Sequence, residues 1–202
     1  MKKIVLLFLL AVGLGCQSCH YYSSFSTKER ALITGGTENT PFRILQTTIR
    51  QDSLKLRKSC REIKNFNDPV LPLLVERMKT TLAAADGVGI AAPQVGISKS
   101  IFFMQRLDLP GAPVVTIINP KIVQHPDTTV CFVRDGCLSI PGVSGNSVRY
   151  PWVEVEYYNE EGELIRECLE GYSRTETFTA VIFQHEYDHL QGILFTDKLC
   201  KE

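Results

Sequence analysis

Val70, Leu73, Leu74, Arg77, Met78 and Leu82 recur at three- and four-residue spacing, which predicts a helix running to about Ala85. Asp68-Pro69 supplies its start, with Asp as N-cap and Pro at the first helical position, and Asp86-Gly87 its stop. Farther on the period shortens to two. Trp152 to Tyr157 alternates as a half-buried strand does, Asn159 to Gly162 reads as a turn, and Glu163 to Leu169 returns as a hairpin partner. Ile101 to Leu107 and Val114 to Val123 predict two further strands, the second interrupted at Asn119-Pro120. A helical pattern reappears at Phe178 to Ile182, with the helix expected from about Glu176 to Gly192, a natural C-terminal cap. Strands clustered ahead of one late helix give an α+β class, mostly antiparallel sheets packed around a C-terminal helix.

Residues 1–40 do not follow these periods. Lys2-Lys3, an apolar run from Ile4 to Leu14 and the small residues before Cys16 have the form of an export signal over residues 1–15. The run is too short for a comfortable transmembrane helix. Cys16 resembles the lipidated cysteine of bacterial lipoproteins, although Gly13 stands where Leu is usual. A plain secretory signal and an uncleaved anchor are the alternatives. Residues 16–40, rich in Ser, Thr, Tyr and Gly, are expected to be a tether, and residues 41–202 one domain. The 22 basic and 22 acidic residues balance, so no nucleic-acid footprint is present. Seven cysteines show no framework spacing; export would permit disulfides, without saying which.

The chemistry concentrates late. His185-Glu186-Tyr187-Asp188-His189 reads H-E-x-x-H, and positions i and i+4 of a helix share a face, so both imidazoles can meet one metal ion. Glu186, one step round, is placed to handle protons. This motif alone also occurs by chance on amphipathic helices. Two histidines are half a catalytic site, which usually takes three protein ligands. Proteases with H-E-x-x-H draw a third His or Glu from downstream, where only Asp197 and Glu202 are acidic here. An upstream donor is available in Cys137, within the Gly-containing stretch Asp135-Gly136-Cys137-Leu138-Ser139, although a lone cysteine in such a turn is more often structural. Gly87 to Gly96 lacks the third glycine of a dinucleotide fingerprint and reads as a tight helix-to-strand loop.

Taken together, Gly87-Val88-Gly89-Ile90-Ala91-Ala92-Pro93-Gln94, Asp135 to Ser139 and His185 to His189 resemble the G-x-G-x-A-A-x-Q, E-G-C-x-S and H-E-x-D-H motifs of the peptide deformylase family. The resemblance runs from about residue 42 to 200. It implies hydrolysis of N-formyl-methionyl peptides to formate and a free amine. One divalent metal ion is implied on Cys137, His185 and His189: Fe²⁺ expected, with Zn²⁺, Ni²⁺ or Co²⁺ also accepted. Glu186 is implied as the proton carrier, and the Gln94 amide and Leu138 backbone N–H as donors to the oxyanion. The peptide is expected to extend along Val88 and Gly89, with Val88, Phe178, Val181 and Ile182 around the methionine side chain. Three features depart from the family: Asp135 replaces Glu, Gly142 to Arg149 offers no clear match for an arginine that many members place near the peptide, and an export signal precedes the domain. They leave a second expectation, an exported relative that binds formylated peptides without turnover. The expected location is the cell envelope, with membrane attachment through lipidated Cys16.

Overall fold

The computed structural model describes residues 23–201; the expected signal, Cys16 and Glu202 lie outside the described residues. Five strands form one antiparallel sheet: β1 (Gly89–Ala91), β2 (Ile101–Gln105), β3 (Val114–Gln124), β6 (Trp152–Tyr158) and β7 (Leu164–Glu170), in the order β1-β2-β3-β6-β7. A separate hairpin pairs β4 (Val130–Cys137) with β5 (Ile140–Arg149). The helices are α1 (Thr27–Thr34), α2 (Arg50–Leu56), α3 (Leu71–Ala84) and α4 (Thr179–Leu190). Short 3₁₀ turns follow at Ala92–Val95 and Phe195–Lys198.

The α+β class and antiparallel sheets stand as expected. α4 packs against β1 and β2, burying Ala180, Ile182 and Phe183 against Phe102, Met104, Val153 and Val155. A second apolar cluster joins Leu74, Met78 and Leu82 of α3 to Ile90, Ile101 and Phe103. Asn119 interrupts β3 with φ +51°, and its side-chain amide exchanges hydrogen bonds with both backbone groups of Ile63 (2.9 and 2.8 Å). The local register shift between Ile118 and Lys121 is thereby tied down.

Several sequence expectations need correction. Within the described residues the expected tether is folded: residues 23–40 contain α1, and Phe25 and Ile33 are buried in the core. Two anchors are too few to display a period. What holds α1 is polar: Ser26 and Glu29 form a capping box, and the Arg77 guanidinium donates to the carbonyls of Leu32, Ile33 and Thr40 at 2.7–2.9 Å. Asp68 does not cap α3, which begins at Leu71. Its carboxylate accepts the Val70 N–H just before the helix at 3.3 Å, and it also receives Arg30 at 2.7 Å and the Ser24 backbone at 3.0 Å, tying the N-terminal segment to the body. The β4–β5 hairpin and α2 were also not foreseen. In β4 a register shift between Phe132 and Asp135 sends both Val133 and Arg134 outward, erasing the alternation that marks a strand.

Candidate metal centre

α4 delivers His185 and His189 on one face, one turn apart, with ring centroids 5.1 Å from each other. The β4–β5 hairpin brings Cys137 from its own end, next to the two-residue turn Leu138-Ser139. Cys137 Sγ lies 3.3 Å from His189 Nε2, and the donor atoms of Cys137, His185 and His189 all lie within 4.8 Å of one another. One sulfur and two imidazole nitrogens converging at this separation suit a single borderline-soft divalent ion. The sulfur accepts hydrogen bonds from the Ser139 backbone N–H (3.4 Å) and Gln94 Nε2 (3.6 Å), which fix its position at the end of the hairpin.

Behind the donors lies a buried polar network. Asp135 Oδ1 accepts from His185 Nδ1 at 3.1 Å, which leaves Nε2 to face the sulfur. Asp135 Oδ2 receives Ser147 Oγ at 2.6 Å and Arg149 Nη2 at 2.9 Å; Arg149 Nε reaches the Ser147 hydroxyl at 3.1 Å. Arg149 Nη1 then meets Asp188, which also receives Lys198 (both 2.6 Å). The acid here is one methylene shorter than Glu, and the Ser147 hydroxyl stands between it and Arg149 Nε. Burial opposes ionisation of Asp135, but His185 and Arg149 outweigh it and hold the carboxyl well below the usual range. Burial, reinforced by His185 and Arg149, keeps His189 well below the usual imidazole range, hence neutral, as a ligand must be.

Glu186 is buried, and burial pushes its pKa up to about 7, with Asp135 adding to that and His185 opposing it. Among the described residues, Glu186 Oε2 and His189 Nδ1 are buried without a hydrogen-bond partner. Glu186 also rests against the backbone of Gly89: a Cβ on that residue would lie 2.5 Å from Oε1. Glycine is needed there for close approach, not for a positive φ.

A cavity of about 480 Å³ opens onto these groups. Val88, Gly89, Gln94, Cys137, Leu138, His185 and Glu186 line its chemical end, while Phe178, Val181 and Ile182 line it with the previously unsuspected Phe132. His189 is not part of this lining and lies behind it, 1% exposed. Gln94 is held by its own carbonyl oxygen, which accepts from Ala91 N at 2.7 Å, so its amide nitrogen points toward Cys137 and Ser139. β1 is an edge strand, paired only with β2, and its Gly89 lines the cavity. Arg174 is a lining residue that sequence reading missed; its guanidinium stacks near the rings of Phe132 and Phe178 at 4.8 and 5.0 Å. Its loop carries no motif that would have marked it.

The profile of the polypeptide deformylase family matches residues 45–202, beginning after α1. A peptide deformylase of Thermotoga petrophila is 42% identical over 145 residues, 71% of this chain and 80% of that protein. The crystal structure of a Synechococcus elongatus peptide deformylase in complex with actinonin superposes with a TM-score of 0.68 at 34% identity, covering 80% of each chain. A Met-Ala-Ser-bound class I type b peptide deformylase from Acinetobacter baumannii gives 0.66 at 32% identity, covering 80% of this chain and 99% of that one.

Proposed function

The chain belongs to the polypeptide deformylase family, and from that premise we propose how its residues divide the work. It is a metal-dependent hydrolase that removes the formyl group from N-formyl-methionyl peptides and releases formate. The observation that carries this reading is the convergence of Cys137, His185 and His189 beside a buried, unpaired Glu186 oxygen at the end of an apolar cavity.

Cys137, His185 and His189 hold the ion. When bound, it supplies Lewis acidity, which brings the pKa of a coordinated water to about 7. The edge of β1 offers the Gly89 backbone to an extended peptide, as in strand addition, with Val88 just before it along the same path, and the apolar wall of Phe178, Val181 and Ile182 receives the methionine side chain. Gln94 Nε2 and the Leu138 N–H donate to the formyl oxygen as negative charge develops; removing one such donor costs about 10²–10³ in rate. Glu186 takes a proton at its carboxylate and returns it to the leaving amine, a task its raised pKa near neutrality suits. A formyl group is the smallest acyl group, so a narrow site can reject acetylated chains. Fe²⁺ is the native ion in this reading; the sulfur–imidazole set also accommodates Zn²⁺, Ni²⁺ and Co²⁺.

The protein acts in the cell envelope, attached to the membrane through lipidated Cys16. Support comes from the signal-like residues 1–15 and from a disulfide between Cys131 and Cys200, a bond characteristic of oxidising compartments. Formate release from a formyl-Met peptide tests the function. In Glu186→Gln, we expect full metal content and turnover lower by several decades. Near-normal turnover in that variant removes Glu186 from the chemistry.

A further inference from the structure

Away from the catalytic cavity, Lys99 is 4% exposed, yet its ammonium makes no hydrogen bond or ion pair among the described residues. Nζ lies 5.6 Å from the centroid of the Phe25 ring. Glu29 and Asp68 act on it only from beyond hydrogen-bond range, and a sheltered ammonium so placed gains from an anion that pairs with it directly. Lys99 lines a second cavity, about 380 Å³, with Ser23, Ser24, Arg61, Glu62 and Lys64. Arg61 and Lys99 are partners in a parallel backbone bridge, which sets the two cations side by side.

The carboxylates nearby are already engaged. Glu29 receives Ser26 N and Oγ at 2.8 Å and Ser98 N at 3.1 Å, with Arg61 at 3.6 Å. Asp68 receives Arg30, Ser23 and Ser24. Only Glu62, exposed at the rim, adds a negative charge to the lining itself, against three cations. Cys16 precedes Ser23 by seven residues, which span at most about 25 Å. A lipid on Cys16 therefore keeps this cavity near the bilayer surface.

We propose that the Lys99 cavity binds the phosphate of an anionic phospholipid headgroup, with Arg61 and Lys64 as its other cations. The choice of a lipid over free phosphate rests on the anchoring reading above. The site lies on residues that fix the N-terminal segment to the domain, so headgroup binding would orient the enzyme on the membrane as well as hold it.

The test uses the full chain reconstituted into vesicles of phosphatidylcholine alone or with phosphatidylglycerol. Amine-reactive labelling of Lys99, read by mass spectrometry, is expected to be about fivefold slower on the anionic vesicles. Millimolar inorganic phosphate on neutral vesicles is expected to change nothing. Because Lys99 is sheltered, a second measurement follows transfer of protein between vesicles. Lys99→Gln should transfer about fivefold faster from anionic vesicles and at the wild-type rate from neutral ones, with turnover of soluble formyl-peptide unchanged. Equal transfer of wild type and Lys99→Gln from anionic vesicles overturns the site, and equal protection by free phosphate overturns the lipid assignment. Failure of the anchor reads differently: the protein would not float with neutral vesicles. Flotation with anionic ones, lost in Lys99→Gln, would then still uphold the cavity.

Discussion

At the residue scale the metal assignment is the most exposed to test. Cys137→Ala removes the sulfur donor and is expected to lose most of the bound metal; a purified variant with full occupancy sinks the assignment. Ser147 makes a finer prediction. Its hydroxyl joins Asp135 to Arg149 Nε, and Ser147→Ala leaves that nitrogen buried without its partner. Metal affinity should fall about 10–100-fold, measured by competition with a chelator. Adding Asp135→Glu should recover much of the loss, because the longer acid reaches into the space left by the hydroxyl. No recovery would make Ser147 a packing residue only. Thiol chemistry supplies a contrast: burial, then Glu29, pushes the Cys60 thiol up to about 12, while Cys168 is exposed. Alkylation at pH 8 should therefore reach Cys168 well before Cys60.

Elements differ in how plainly their residues announced them. The strand β6 was legible because it buries every second residue, whereas the histidine helix, buried at every position but Tyr187, was legible through its motif. Cys137, Gln94 and Glu186 were legible only jointly, through three motifs that the chain brings together from distant positions. α1 was hidden because its stability comes from Ser26, Glu29 and the guanidinium of Arg77, contributed by another helix. Ser-x-x-Glu was the available signal for its start. Asp135 stood out only as a departure from the family motif, and Arg149 read as an ordinary charged residue, since a buried ion pair leaves no periodic trace. α2 shows the same dependence on charge. Asp52 in its first turn accepts Arg43 at 2.7 and 2.9 Å, and that pairing lowers its pKa despite burial. A depressed carboxyl stabilises above its unfolded value of about 3.9 and loses this as pH falls through the folded value. Asp52→Asn should accordingly reduce the stability difference between pH 6 and pH 3, as measured by denaturant melts at both.

At the scale of the whole molecule, the Cys131–Cys200 bond joins β4 to the segment that follows α4, across a sequence separation of 69 residues. The Ser147–Leu199 bridge and the Cys200 N–H to Asn146 carbonyl bond (2.8 Å) lay that segment along β5. Reduction is expected to lower stability by about 2–4 kcal/mol, seen as an earlier melt under reductant that Cys131→Ser/Cys200→Ser reproduces. Location is tested by fractionation: the protein should follow membranes, and Cys16→Ser should weaken that. Intact, soluble protein in the cytosol would defeat the envelope assignment. The contact between Glu186 and Gly89 also has a meaning for descent. While the acid keeps its present position, a side chain at 89 would meet it at 2.5–2.9 Å, so drift there requires Glu186 to move. A lineage that gave up turnover and lost Glu186 would free both positions at once. Alanine or serine at 89 would then spread through its descendants, a recognisable scar of abandoned chemistry even where all three metal donors survive.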